Sequence, residues 1–271
     1  MLNCPHWIAF SLLLILPAGG RVCPACGTGP GQANQPDSRL QPAVITVAVA
    51  ANLQFVINEL KADFERSRPG RVRVSVVLGA SGNLTTQIRQ GAPFDLFISA
   101  DTRYPASLYR DGLTADSPRV YCRGLLVLWT ARTDLALSRD LHVLVRPEIR
   151  KIALANPRLA PYGEAAEQTL RKAGLFDQVR TKLVYGESIA QTSQFIYSRA
   201  ADAGFTAKSV VIAGPWKDRG SWIEVDPASY APIEQAAVLL RSNRTEASAF
   251  YHYLFSEPAR MILRKYGYLV G

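Results

Sequence analysis

The chain has 271 residues, 48% of them hydrophobic and 20% charged. That balance excludes a disordered tail, a collagen-like fibre and a small disulfide scaffold, and leaves ample length for a buried core. Lysine and arginine number 31 against 22 acids, a net charge of +9. The bases are scattered, and no dense basic run is interleaved with aromatics, which argues against a nucleic-acid partner.

The N-terminus reads as an address rather than as part of the fold. Residues 8–16, IAFSLLLIL, are a short uncharged, mostly apolar run that ends at Pro17 and the small residues Ala18, Gly19 and Gly20. This is the length of a signal-peptide core and too short for a permanent membrane span. We place a signal peptide at 1–27 and a flexible leader, rich in Gly, Pro, Gln, Asn and Ser, at 28–42. The expected location is therefore exported and periplasmic. Cys4 lies in the signal. Cys23 and Cys26 form a C-x-x-C pair outside any strand–helix unit and without a second pair, which disfavours zinc or thioredoxin chemistry. Either would take a lipid after signal cleavage, but the residues before them fit such a site poorly. Cys122 stands alone in an apolar stretch and is expected to be a buried small hydrophobe.

From residue 44 the chain alternates strand and helix. Residues 44–49 are an apolar strand; Leu53, Val56, Ile57, Leu60 and Phe64 then recur at helical spacing and stop at Pro69 and Gly70. Val72, Val74 and Val76 alternate as a second strand. Leu84 and Ile88 mark a short helix, 94–99 a third strand, Tyr104 and Leu108 another helix, and 124–130 one long apolar strand. Residues 152–155 are a strand and 163–172 a helix with Gly174 just past its end. Strands at 183–185, 204–206, 222–225 and 236–240 follow, with helices at 188–200, near Ser209, at 245–255 and at 258–265. This order predicts an α/β protein with a parallel sheet covered on both faces. Periodicity alone does not decide between one wide sheet and two small ones.

The strand-to-helix junctions at 50–53, 79–83, 156–163 and 186–189 carry unusual chemistry. In open α/β sheets ligands sit where strands end and helices begin, and helix N-termini present unpaired N–H groups with partial positive charge. Asn52, Ser81 and Ser188 suit helix caps. Taken singly each is only a cap, and function requires the junctions to converge. The enzyme alternative is a serine hydrolase using Ser81. Asn83 stands where a nucleophile elbow needs glycine, and beyond the signal only His142 and His252 are available as a base. No P-loop, dinucleotide fingerprint or metal-spaced cluster of His, Cys and carboxylates occurs.

Several longer stretches carry a family resemblance. VAVAANL (47–53), GASGNLTTQI (79–88), GAPFDLFISAD (91–101), ANPRLAPYG (155–163), ESIAQTSQ (187–194) and KYGYLV (265–270) resemble the exported molybdate-binding proteins of ABC importers. The resemblance runs from Val44 to the C-terminus. It implies the two-lobed type II periplasmic-binding-protein fold, each lobe a mainly parallel sheet flanked by helices, with the ligand cleft between them. Lobe 1 would hold 43–122 and 232–271, and lobe 2 would hold 123–231, with crossings near 121–125 and 228–233. It further implies a monomeric carrier that is not an enzyme and has no cofactor. The ligand would be molybdate or tungstate, bound as the oxyanion with no direct metal ligand. The partners would be a membrane permease and its cytoplasmic ATPase. A carrier of sulfate or another small oxyanion is the alternative, since sulfate and iron(III) binders share the architecture.

The family's binding positions fall on Ala51, Asn52, Ser81, Tyr162 and Ile189. Asn52 would supply side chain and backbone N–H, Ser81 hydroxyl and N–H, and Ala51, Tyr162 and Ile189 backbone N–H groups. Such a site offers only donors. A fully deprotonated dianion only accepts hydrogen bonds, whereas protonated phosphate brings an O–H that needs an acceptor. Many relatives carry Ser at the Asn52 position, some carry Thr at Ala51, and some use a tyrosine hydroxyl where this chain has Ala207. Glu187, beside the site, is expected to point away.

Overall fold

The computed structural model describes residues 41–240 and 244–271. The expected signal peptide and the expected leader up to residue 40, with Cys4, Cys23 and Cys26, lie outside the described residues. Strand β1 (Ala43–Ala50) runs into a 3-10 turn (Ala51–Leu53) and then helix α1 (Val56–Arg66). Leu53, Val56, Ile57, Leu60 and Phe64 all point inward and are buried, as their helical spacing requires. Gly70, at φ +70°, turns the chain in a conformation that side chains disfavour. Then come β2 (Val72–Gly79), α2 (Ser81–Arg89), β3 (Leu96–Ile98), α3 (Arg103–Arg110), β4 (Arg119–Gly124) and β5 (Leu126–Thr130). The middle of the chain holds β6 (Ile152–Ala155), α4 (Pro161–Lys172), α5 (Phe176–Val179), β7 (Leu183–Gly186), α6 (Ile189–Tyr197), β8 (Ala203–Ala207), α7 (Lys208–Val211) and β9 (Ser221–Glu224). β10 (Ile233–Leu239), α8 (Thr245–Tyr253) and α9 (Glu257–Lys265) close it.

The strands form two five-stranded sheets, in the orders β2-β1-β3-β10-β4 and β7-β6-β8-β5-β9. The apolar run expected as one strand over 124–130 is divided between them. β4 pairs with β10 in the first sheet, β5 pairs with β8 and β9 in the second, and Leu125 is the step between. The chain returns between β9 and β10. Both sheets are mixed rather than mainly parallel. β1 pairs parallel with β2 and β3, and β6 parallel with β7 and β8, but β10 and β5 run antiparallel to both of their neighbours. The reason is topological: these are the strands that arrive from the other lobe rather than through a local crossover helix, which is what imposes parallel pairing.

Each lobe has its own core. In the second, Trp129, Leu154, Leu170 and Phe205 are among the buried side chains. In the first, α1, α8 and α9 cover one sheet face with Phe64, Phe250 and Leu263, while Leu84, Phe97 and Leu108 pack on the other. Cys122 is a buried free thiol, held protonated by burial. Among the described residues, no helix is long and apolar enough to cross a membrane.

Candidate functional site

The strand-to-helix junctions of both lobes meet. Ala50, Ala51, Asn52, Gly79, Ala80, Ser81 and Ala100 from the first lobe, with Ala160, Pro161, Tyr162 and Ile189 from the second, line one cavity. Its free space, mouth included, is ≈ 200 Å³, below the range that holds drug-sized organic ligands. All five residues singled out from sequence, Ala51, Asn52, Ser81, Tyr162 and Ile189, face it, and each is buried. No charged residue lines it. Glu187 is exposed and outside the lining, and Ala207 is buried at the end of β8, also outside it.

Local structure explains why this lining consists of donors. α2, α4 and α6 all begin at the cavity, so their first N–H groups have no carbonyl one turn back. Pro161 occupies the first turn of α4, where its missing N–H costs nothing. Among the described residues, the backbone N–H groups of Ala51, Asn52, Ser81, Tyr162 and Ile189 have no acceptor. Such clustering is uncommon, because buried backbone donors are nearly always paired.

Two of the three expected caps are not caps. Asn52 lies inside the 3-10 turn, and Ser81 is the first residue of α2 rather than the residue before it, with no capping bond. Only Ser188 caps, accepting from Gln191 N–H at 3.3 Å. The Ser81 hydroxyl instead accepts from the Ala100 N–H at 3.1 Å, which leaves its own proton to donate. The donation expected from the Asn52 side chain is taken up elsewhere. Its Nδ2 donates to Gln235 Oε1 at 3.0 Å and to Tyr268 OH at 2.8 Å. Turning the amide over would set Oδ1 against the Gln235 acceptor. Asn52 therefore offers the cavity its backbone N–H, and its buried Oδ1 is left without a partner.

Behind the cavity lies a buried polar cluster that sequence reading did not single out. Gln235 bonds Asn52, Tyr121 and Tyr162, and the Tyr268 hydroxyl sits 3.0 Å from Ser209 Oγ. Burial pushes the Tyr121, Tyr162 and Tyr268 phenols far above their usual range, so all are neutral donors and acceptors. The available signals were a glutamine just before the apolar run 236–239 of β10 and the second tyrosine of the terminal KYGYLV segment. At the rim, the lobes touch directly. Gly82 N–H donates to the Leu159 carbonyl at 2.9 Å, Tyr104 OH donates to the Arg158 carbonyl at 2.8 Å, and Arg103 pairs with Glu164 at 2.9 Å.

The hydrolase alternative fails here. No histidine lines the cavity, and His142 and His252 are both exposed. Among the described residues, no three His, Cys, Asp or Glu side chains are grouped to hold a metal ion.

Two lobes closing on a small cavity walled by unpaired N–H groups define a solute-binding protein of the two-lobed type. The sequence agrees: residues 45–269 match the model of the bacterial extracellular solute-binding proteins, and the chain belongs to that family. The molybdate-binding protein ModA of Azotobacter vinelandii is 37% identical over 231 residues, covering 84% of this chain and 90% of that protein. ModA of Rhodobacter capsulatus is 38% identical over 228 residues, 83% of this chain and 88% of the relative. The solved structure of the A. vinelandii periplasmic molybdate-binding protein superposes with a TM-score of 0.77 at 32% identity, covering 84% of this chain and 99% of that one.

Proposed function

We propose that this protein captures molybdate, and also tungstate, outside the cytoplasmic membrane and delivers it to an ABC import permease driven by a cytoplasmic ATPase. The carrying observation is the donor set. Unpaired N–H groups of Ala51, Asn52, Ser81, Tyr162 and Ile189, with the free proton of Ser81, face one cavity that no charged group lines. A dianion such as molybdate accepts a hydrogen bond from each. The helix N-termini supply positive potential without a buried counter-ion and its desolvation. Likeness to the ModA proteins supports the choice of ligand.

The oxyanion docks on one lobe, the other swings in, and the closed form is held by contacts to both. The lobes we assign are 43–122 with 232–271, and 123–231. The protein acts as a monomer, exported by residues 1–27. Its charged surfaces meet the permease, and the binding protein itself makes or breaks no covalent bond in this cycle.

Calorimetric titration of the purified protein with molybdate, tungstate, sulfate and phosphate tests the reading. Tight binding of molybdate and tungstate, with sulfate and phosphate silent, is expected. Ligand at a hundredfold its Kd adds about 2.7 kcal/mol to stability, which a melting curve reads independently. Binding of sulfate alone would move the substrate, and silence from all four would overturn the proposal.

A further inference from the structure

The two walls of the cavity are joined behind it at two places: Ser209 Oγ donates to the Asn52 carbonyl at 2.9 Å and meets the Tyr268 hydroxyl at 3.0 Å, and Gln235 links Asn52 to Tyr162. Gln235, on β10, is completely buried. Its Oε1 accepts from Asn52 Nδ2 at 3.0 Å and from Tyr121 OH at 2.9 Å, and its Nε2 donates to Tyr162 OH at 3.0 Å. Asn52 belongs to the first lobe and Tyr162, on α4, to the second. Both also present a backbone N–H to the cavity. The residues that would grip the ligand from opposite sides are thus connected to each other by a single amide.

Two features of the backbone build this arrangement. The pairing of β10 with β4 slips between Gln235 and Ala236, so that Cys122 faces Gln235, Val120 faces Ala236 and Tyr121 is the extra residue. A bulge re-aims the side chain it carries, and here it brings the Tyr121 hydroxyl onto Gln235. Gly124 ends β4, one residue before the step into the second sheet. A Cβ there would lie 1.9 Å from the Tyr162 hydroxyl and 2.6 Å from Gln235 Nε2. Only glycine leaves room at the crossing for the Tyr162–Gln235 bond.

We propose that Gln235 is a positioning residue that couples closure of the cleft to oxyanion binding, with Gly124 as the hinge position that admits the contact. The inference rests on the carrier reading above. The amide is polar in the right sense: its acceptor is saturated by two donors from the first lobe, and its donor reaches across to the second. When the lobes part, α4 carries Tyr162 away and Gln235 Nε2 is left for water. When they close, the bond re-forms as Tyr162 N–H swings onto the ligand. Ligand grip and clasp therefore form together, and losing the clasp shortens the life of the closed complex rather than slowing its formation.

Three variants test this, Tyr162→Phe, Gln235→Leu and Gly124→Ala, with the double variant of the first two. The readouts are molybdate affinity, its dissociation rate by stopped-flow tryptophan fluorescence, and lobe closure by small-angle X-ray scattering. Tyr162→Phe removes one hydroxyl and is expected to bind roughly fivefold more weakly, the change lying in the dissociation rate. Its ligand-free melting temperature should move little. The double variant should be no weaker than Gln235→Leu alone. Gly124→Ala, which places a methyl against the Tyr162 hydroxyl, should leave the molybdate-loaded protein more extended than wild type. A wild-type dissociation rate in Tyr162→Phe, or losses that simply add in the double variant, would overturn the inference while wild-type binding stands. If Gln235→Leu does not fold, Tyr162→Phe and Gly124→Ala decide the matter. A wild-type protein that binds none of the four oxyanions overturns the carrier reading and this inference with it.

Discussion

In the proposed site the Ser81 hydroxyl would serve stability and binding together. Its oxygen satisfies the buried Ala100 N–H, and its proton remains for a ligand. Ser81→Ala should therefore lower molybdate affinity by roughly 1–3 kcal/mol and also lower the ligand-free melting temperature, because the Ala100 donor is left unpaired in the interior. Calorimetry and melting curves on the same variant separate the two effects. An unchanged affinity with a lowered melting temperature would remove Ser81 from the site. Asn52 behaves differently: its side chain is committed to Gln235 and Tyr268, and its carbonyl accepts from Ser209 Oγ at 2.9 Å. Its Nδ2 works as a brace for the turn that presents the Ala51 and Asn52 N–H groups.

At the scale of elements, the site depends on how closely helix starts approach strand ends. α4 begins against the end of β6, and a Cβ on Gly163 would lie 2.1 Å from the Ala155 carbonyl oxygen. Backbone on backbone cannot yield as a flexible side chain can. Gly163→Ala should displace the start of α4, which carries Tyr162 N–H, and destabilise the fold by about 1–3 kcal/mol. A urea melt and a molybdate titration should both register it. The same logic applies to Gly186 before α6, where a Cβ would lie 2.5 Å from Thr192 Oγ1. The glycines at these junctions serve proximity, which is a packing requirement and not a turn requirement.

For the whole molecule, closure combines buried and exposed contacts of unequal worth. The Arg103–Glu164 pair spans the rim at 2.9 Å, but with Arg103 56% exposed and Glu164 40% exposed solvent and salt screen it. Glu164→Gln should lower the barrier to molybdate release by no more than about 1 kcal/mol, and the difference should vanish in high salt. The buried tyrosines act on pH dependence. Burial raises the phenols of Tyr121, Tyr162 and Tyr268 above the usual 10. Above that pH the unfolded chain releases protons that the folded one retains, so stability must fall as pH rises past ~10. Below it these groups are neutral in both states and contribute no slope. Melts of the molybdate-loaded protein between pH 8 and 11 should show the break at about 10, reduced in Tyr162→Phe.

Much of the fold was legible because its signals are local. The helical spacing of Leu53 to Phe64 and the alternation of Val72, Val74 and Val76 each report a face that must be buried. The junction residues were legible for a related reason: short Ser, Asn, Gly and Pro runs between apolar segments mark places where backbone donors go unpaired. What sequence could not show is anything that depends on which sheet a strand joins. The run 124–130 shows no alternation, so periodicity merges the last residue of β4 with β5, while only pairing reveals the step at Leu125. Tyr121 and Cys122 escaped assignment to a strand because a bulge breaks their alternation. Gln235, Asn52, Tyr162 and Tyr268 are up to 216 positions apart in the chain, and no local rule brings them together. The elements, the apolar faces and the donor-rich junctions could be read along the chain, because they follow from neighbours within a few residues. The mixed sheets, the commitment of the Asn52 amide and the contacts of Gln235 emerge only in the folded molecule, because hydrogen bonds between distant segments are chosen by the packing of whole lobes.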